Sequence, residues 1–246
     1  MTKLAAAVAV GIAFAATPAF AQPVSVDTPD ILKGRFEVAT ESTYLHDVVD
    51  DQDAFSHQLL AAHSVTDNLR FGAGVIFNDP VGNETRADSF LAEVRFEGPR
   101  PAWMPFEWGL IGSYIGGGPS GVNDAIALRA IAASDIGPVT VVANLDALRE
   151  VGGGASEDTA FDLLLEGRLP ITEAFMAAIT YSGQLGTDDE FGDLGTLGQY
   201  LGPTVYASLP TGANSAIGVE AGVLFGLTEE STDAIGKVNL TWASQF

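Results

Sequence analysis

Cysteine is absent from all 246 residues, which excludes disulfides, thiolate metal centres and thiol redox chemistry. Basic residues are scarce: eleven Lys and Arg stand against thirty-two Asp and Glu, a formal net charge of -21. So acidic a surface repels nucleic acid and anionic lipid, and nucleic acid is not expected as a partner. Long apolar runs are lacking as well. Leu4 to Ala16 falls short of the about 20 residues that a spanning helix needs. Past residue 21 no run of consecutive apolar residues reaches half that length. Disorder is excluded in turn by an apolar content of 47%, too high for a solvated acidic polymer.

Lys3, the apolar run and Thr17-Pro18-Ala19-Phe20-Ala21 form the charged head, hydrophobic region and Ala-x-Ala site of a secretory signal, so residues 1–21 are expected to be cleaved. Cleavage removes one base and no acid, taking the net charge from -21 to -22. Residues 22–32 read as a short periplasmic lead that could also tuck into the interior of the mature domain.

From residue 33 onward, apolar and polar residues alternate in segments about ten residues long, the length of a tilted strand crossing a bilayer. Twelve such segments are expected, near 33–44, 55–64, 69–78, 85–97, 105–116, 124–134, 138–149, 158–169, 173–184, 197–209, 214–226 and 232–246. Even-numbered segments lead into tight turns such as Ser134-Asp135-Ile136-Gly137 and Pro210-Thr211-Gly212-Ala213; 98–104 is the longer exception. Odd-numbered ones lead into Gly- and acid-rich loops, among them 45–54 and 185–196. Short turns on one rim and longer loops on the other are expected of an all-β, transmembrane, antiparallel up-and-down barrel of about twelve strands.

Placing the apolar set of each strand outward puts Phe71, Ala73, Val75 and Phe77 on one strand's lipid face and Ile217, Val219, Ala221, Val223 and Phe225 on another's. On the strands with a clear apolar set, no charge is expected on that face. Aromatics collect at the strand ends. Phe36, Phe71, Phe96, Phe106, Phe175, Trp242 and Phe246 lie toward the short turns; Tyr44, Phe77, Phe90, Tyr114, Phe161, Tyr181 and Phe225 lie toward the loops. Two girdles result, as a bilayer requires. Strand two stays open, because His57 and His63 share parity with Leu59 and Ala61; strand ten carries Pro203 inside it.

The last strand ends on Val238, Leu240, Trp242 and Phe246, alternating with polar residues. This pattern resembles the C-terminal insertion signal of outer-membrane barrels, and the whole chain resembles a Gram-negative bacterial outer-membrane β-barrel of the transporter- or porin-like kind. Ser244 is less apolar than that signal's usual residue. The resemblance implies an outer-membrane location, the barrel-assembly machinery as partner during biogenesis, outer-membrane lipid and lipopolysaccharide around the belt, and no cofactor.

Parity turns six of the mature chain's ten bases inward: Arg35, Arg70, Arg95, Arg129, Arg168 and Lys237. Acids accompany them, including Glu37, Glu93, Glu107, Asp146, Glu166 and Glu220. Opposed charges of this kind either set a transverse field at the constriction of a narrow passive channel for small polar or charged solutes, or pair across strands and close the lumen of a structural or adhesion barrel. In the first loop Asp47, Asp50, Asp51 and Asp53 are weak candidates for a divalent cation, without the fixed ligand spacing of an EF-hand. A solvated acidic rim accounts for them equally.

Catalysis has little support. His46, His57 and His63 invite comparison with a twelve-stranded membrane phospholipase family that uses Ser, His and Asn, but that family's motif around a Ser is absent here, and Ser56, beside His57, points to the opposite face. Gly116-Gly117-Gly118-Pro119-Ser120-Gly121 matches a phosphate-binding pattern by accident, having no adjoining helix to supply an anion site. An enzyme is therefore not expected.

Overall fold

The computed structural model describes residues 25–49, 52–79, 86–116, 123–192 and 197–245. Twelve strands occur in chain order: β1 (Arg35–Val49), β2 (Gln52–Ser64), β3 (Leu69–Asp79), β4 (Arg86–Glu97), β5 (Glu107–Gly116), β6 (Asp124–Ile136), β7 (Val139–Val151), β8 (Thr159–Thr172), β9 (Phe175–Thr187), β10 (Gln199–Gly212), β11 (Ser215–Gly226) and β12 (Ala234–Gln245). Each pairs antiparallel with its sequence neighbours, and β1 pairs with β12 to close the barrel. Arg35 opposite Gln245, Val38 opposite Trp242 and Leu45 opposite Ile235 mark that seam. Closure leaves no sheet edge unpaired, the condition for a strand structure to sit in lipid.

Period-two patterning sets the faces. Leu164 and Leu224 point inward and are fully buried, whereas Ile126, Ile179 and Phe225 point outward and are more than half exposed. An apolar belt so exposed is a lipid surface, far beyond the apolar patches that proteins show to water. Aromatic pairs stand at its margins: Phe36 with Trp242 and Phe96 with Trp108 near the short turns, Phe90 with Tyr114 near the loops, ring centroids 5.6–6.3 Å apart.

The strands outrun their expected ends. β1 continues past Tyr44 to Val49, and β8 runs through Pro170-Ile171-Thr172 before Thr172 pairs with Phe175 across a two-residue turn. Hairpin ladders keep their hydrogen bonds beyond the bilayer, where hydropathy no longer marks them. The open face of β2 is settled by register. His57 stands opposite Ser42 and Phe77, and His63 opposite Phe36 and Phe71, so both histidines share the outward face. On β10, Pro203 sits in an interior strand, paired with Ile179 of β9; its missing N–H coincides with a break in the β11 ladder between Leu201 and Thr204. The expectation of an uncharged outer face holds for the belt but not at the loop rim, where Asp124 and an exposed Arg149 share the outward parity. Tyr114 Oη donates to Asp124 there, so the girdle anchors that charge above the hydrocarbon.

Candidate functional site

The barrel encloses a cavity of about 1510 Å³. Its lining reaches from Asp158, Glu190 and Glu230 at the loop rim to Thr172 and Glu173 at the short-turn rim. Arg35, Glu37, Arg70, Glu93, Arg95, Arg129, Asp146, Arg168 and Glu220 line it. Glu166 and Lys237 are buried in the wall beside it. Glu107 stands apart, paired with Arg100 at the short-turn rim, both side chains well exposed.

Three charge networks organise the lumen. In the first, Arg35 Nε lies 2.7 Å from Glu37, and Arg70 bridges Glu37 to Glu93, with Nη2 2.7 Å from Glu93 Oε1. In the second, Arg129 grips Asp146 with two parallel bonds of 2.6 and 2.8 Å, the geometry that makes Arg–carboxylate pairs strong. The third gathers Glu166, Arg168, Tyr206, Glu220 and Lys237. Tyr206 Oη donates to Glu166 at 2.6 Å, Thr180 Oγ1 donates to it at 2.5 Å, and Lys237 Nζ lies 2.7 Å from Glu220. The Arg168 guanidinium also rests 4.8 Å from the centroid of the Tyr206 ring.

The second network closes on a segment that no strand provides. Residues 25–31 run inside the lumen as a strap. Asp27 accepts from Arg95 Nη2 at 2.9 Å and from Arg129 Nη1. Backbone atoms tie the rest down: Arg95 Nη2 donates to Thr28 O at 2.6 Å and Arg168 Nη2 to Val26 O at 2.8 Å. Asn144 completes a two-way clasp on Asp27, accepting its N–H at 2.7 Å and donating to its carbonyl at 3.0 Å. Ile31 N–H donates to Glu97 at 2.8 Å. Burial works against the charge on Asp27, but the guanidiniums of Arg95, Arg129 and Arg70 prevail and hold its carboxyl well below the usual carboxylate range. Val26 packs with Ile111, Ile131, Ala133, Val142 and Leu164, an apolar patch on the inner wall of β5–β8.

Asp27, Asn144 and Tyr206 were not singled out by alternation. The signal for the strap is the inner patch itself: Ile111, Ile131, Val142 and Leu164 have lumen parity, and a wall facing only water has no use for them.

The insertion-signal residues Val238, Leu240 and Trp242 lie on the outer face, each more than a third exposed. Phe246 lies outside the described residues. So do Asp50 and Asp51 of the acidic quartet and the side chain of Asp47. Asp53 sits at the loop rim, taking a bond from Tyr44 Oη and an ion-pair contact of 2.8 Å from His46 Nδ1. Among the described residues no group of three or more His, Asp and Glu is arranged to hold a metal ion. Register also makes a pair that sequence neighbours do not: Ser42 Oγ lies 2.8 Å from His57 Nδ1 on the lipid face, with Phe55 stacked on the imidazole. A third group orienting that imidazole, as nucleophile activation requires, is not seen among the described residues.

A closed, twelve-stranded antiparallel barrel with an apolar outer belt has the fold of the outer-membrane β-barrels. Known structures agree. An outer membrane channel from Pseudomonas putida matches with a TM-score of 0.63 at 14% identity, covering 91% of this chain and all (100%) of that one. The KdgM porin in complex with disordered oligogalacturonate matches at 0.52 and 10% identity, covering 86% of this chain and 99% of that one. The translocator domain of the autotransporter NalP from Neisseria meningitidis matches at 0.51 and 12%, covering 86% and 88%. No protein-family model matches the chain. No match is found among curated proteins.

Proposed function

We propose that this barrel is a narrow passive channel of the Gram-negative outer membrane for small polar or charged solutes. In this reading the chain is exported by its N-terminal signal and inserted by the barrel-assembly machinery, with lipopolysaccharide around its outer leaflet, and it carries out no enzymatic turnover. The observation that carries the reading is the charged cavity whose lining extends from rim to rim. Twelve strands exceed the eight that side chains alone can fill, and buried arginines and carboxylates keep such a lumen wet. Two of the structural neighbours, the Pseudomonas putida channel and the KdgM porin, lend support by the fold they share.

The closed-barrel reading has its own observation: the lumen charges pair with one another, and the strap fills part of the bore. Single-channel recording from the refolded protein in a planar bilayer separates the two. Discrete current steps are the expected result; a fully inserted but silent barrel would move the assignment to a structural role.

A further inference from the structure

We infer that Asp27, held in the lumen by the strap of residues 25–31, sets both the width and the charge preference of the conducting path, and that this path prefers cations. The inference deepens the channel reading and rests on it.

The strap is a built element of the wall. Donors and acceptors on β4, β6, β7 and β8 hold it: Arg95, Arg129, Asn144 and Arg168, with Glu97 at its far end. Val26 fills an apolar patch, and Pro29 lies against Gly109, where an added Cβ would come within 3.4 Å of the proline ring. Polar and apolar anchors thus agree on one position, which narrows the bore along β4–β8 and leaves the cavity beside it.

Asp27 also decides what a solute meets there. Its carboxylate is shared by Arg95 and Arg129, and the remaining lumen arginines are engaged as well, Arg35 and Arg70 with Glu37 and Arg168 with Glu166. Among the described residues, every guanidinium on the cavity wall therefore has a carboxylate partner. Acids remain over toward the loop rim: Glu150, Asp158, Asp189 and Glu190 line the cavity and have no basic partner within ion-pair distance among the described residues. A path of neutralised arginines and uncompensated carboxylates concentrates cations and repels anions. Without Asp27, Arg95 would lose its carboxylate while Arg129 kept only Asp146, and the positive charge left over would face the lumen beside Arg70 and offset that field.

Three full-length variants test this by single-channel current under a salt gradient, each first checked for heat-modifiable folding. The unmodified protein should show a cation-selective reversal potential. Asp27→Asn should move that potential toward anions, and Asp27→Arg, which repels Arg95 and Arg129 and dislodges the strap, should raise conductance about twofold or more in so narrow a lumen. Thr28→Cys, the only thiol in the chain, should give a stepwise fall in current when modified with a bulky charged thiosulfonate. Conducting channels whose current and reversal potential are the same in all three variants, with modification verified by mass, would overturn the role of the strap while leaving the channel reading intact. A silent parent with a conducting Asp27→Arg would support the strap as a plug. Silence in every inserted form would remove the channel reading and this inference with it.

Discussion

Two guanidiniums on one carboxylate make Asp27 the most consequential acid of the lumen, and its titration has a definite sign. The native pKa lies below the ordinary aspartate value near 4. A group depressed in this way contributes stability that is complete above its unfolded pKa and is lost as pH falls through the folded one. Protection of the Asp27 and Ile31 amides, whose N–H groups bond to Asn144 and Glu97, taken relative to intrinsic exchange at each pH, should therefore stay high at neutral pH and fall below about pH 4. Glu37, Glu93, Asp146 and Glu97 also face the arginines around Asp27, so the control is Asp27→Asn. It should already exchange faster at neutral pH and show a flatter acid dependence. An identical acid profile in parent and variant would remove Asp27 from the account. Parity alone turned Arg95 and Arg129 inward, yet nothing in the local sequence of Ser25-Val26-Asp27 names their partner.

Each strand presents one face to lipid and the other to the lumen, so a charge should cost very different amounts on adjacent residues. Leu240 lies on the outer belt of β12, 46% exposed, while Thr241 faces inward. Leu240→Arg near the bilayer midplane should destabilise the barrel by about 2–4 kcal/mol, and Thr241→Arg by much less. Reversible urea unfolding from lipid vesicles would measure both; equal losses would contradict the assigned faces. Most elements of this kind were legible in advance because alternation is a local property, visible within five or six residues. β2 was the exception, since its outward set mixes Leu59 and Ala61 with His57 and His63. Only pairing with Phe36, Phe71 and Phe77, on the neighbouring strands, identifies the lipid face.

Closure through β1 and β12 joins residues at opposite ends of the chain, so the barrel folds as one unit and needs an apolar medium for its belt. The full-length protein refolded into detergent should give a β-type circular dichroism spectrum and migrate on gels differently before and after heating. A stable monomer without detergent would defeat the membrane reading outright. The belt explains why: large apolar side chains such as Phe71, Ile126, Ile179 and Phe225 are at least half exposed, and water would drive them together. In the channel reading, cross-lumen contacts govern whatever passes through, and the inner wall departs furthest from a simple wet pore at the strap.

Twelve strands, their alternating loop lengths, the aromatic girdles and the inward turn of six bases are all written in short-range periodicity, which the pleat of a strand converts directly into two faces. The partners of those bases are not written there. Asp27 and Asn144 are 117 residues apart, Arg168 and Val26 are 142 apart, and no local pattern encodes which inward groups meet across a closed barrel. Register and closure bring them together, and with them the strap and the cavity.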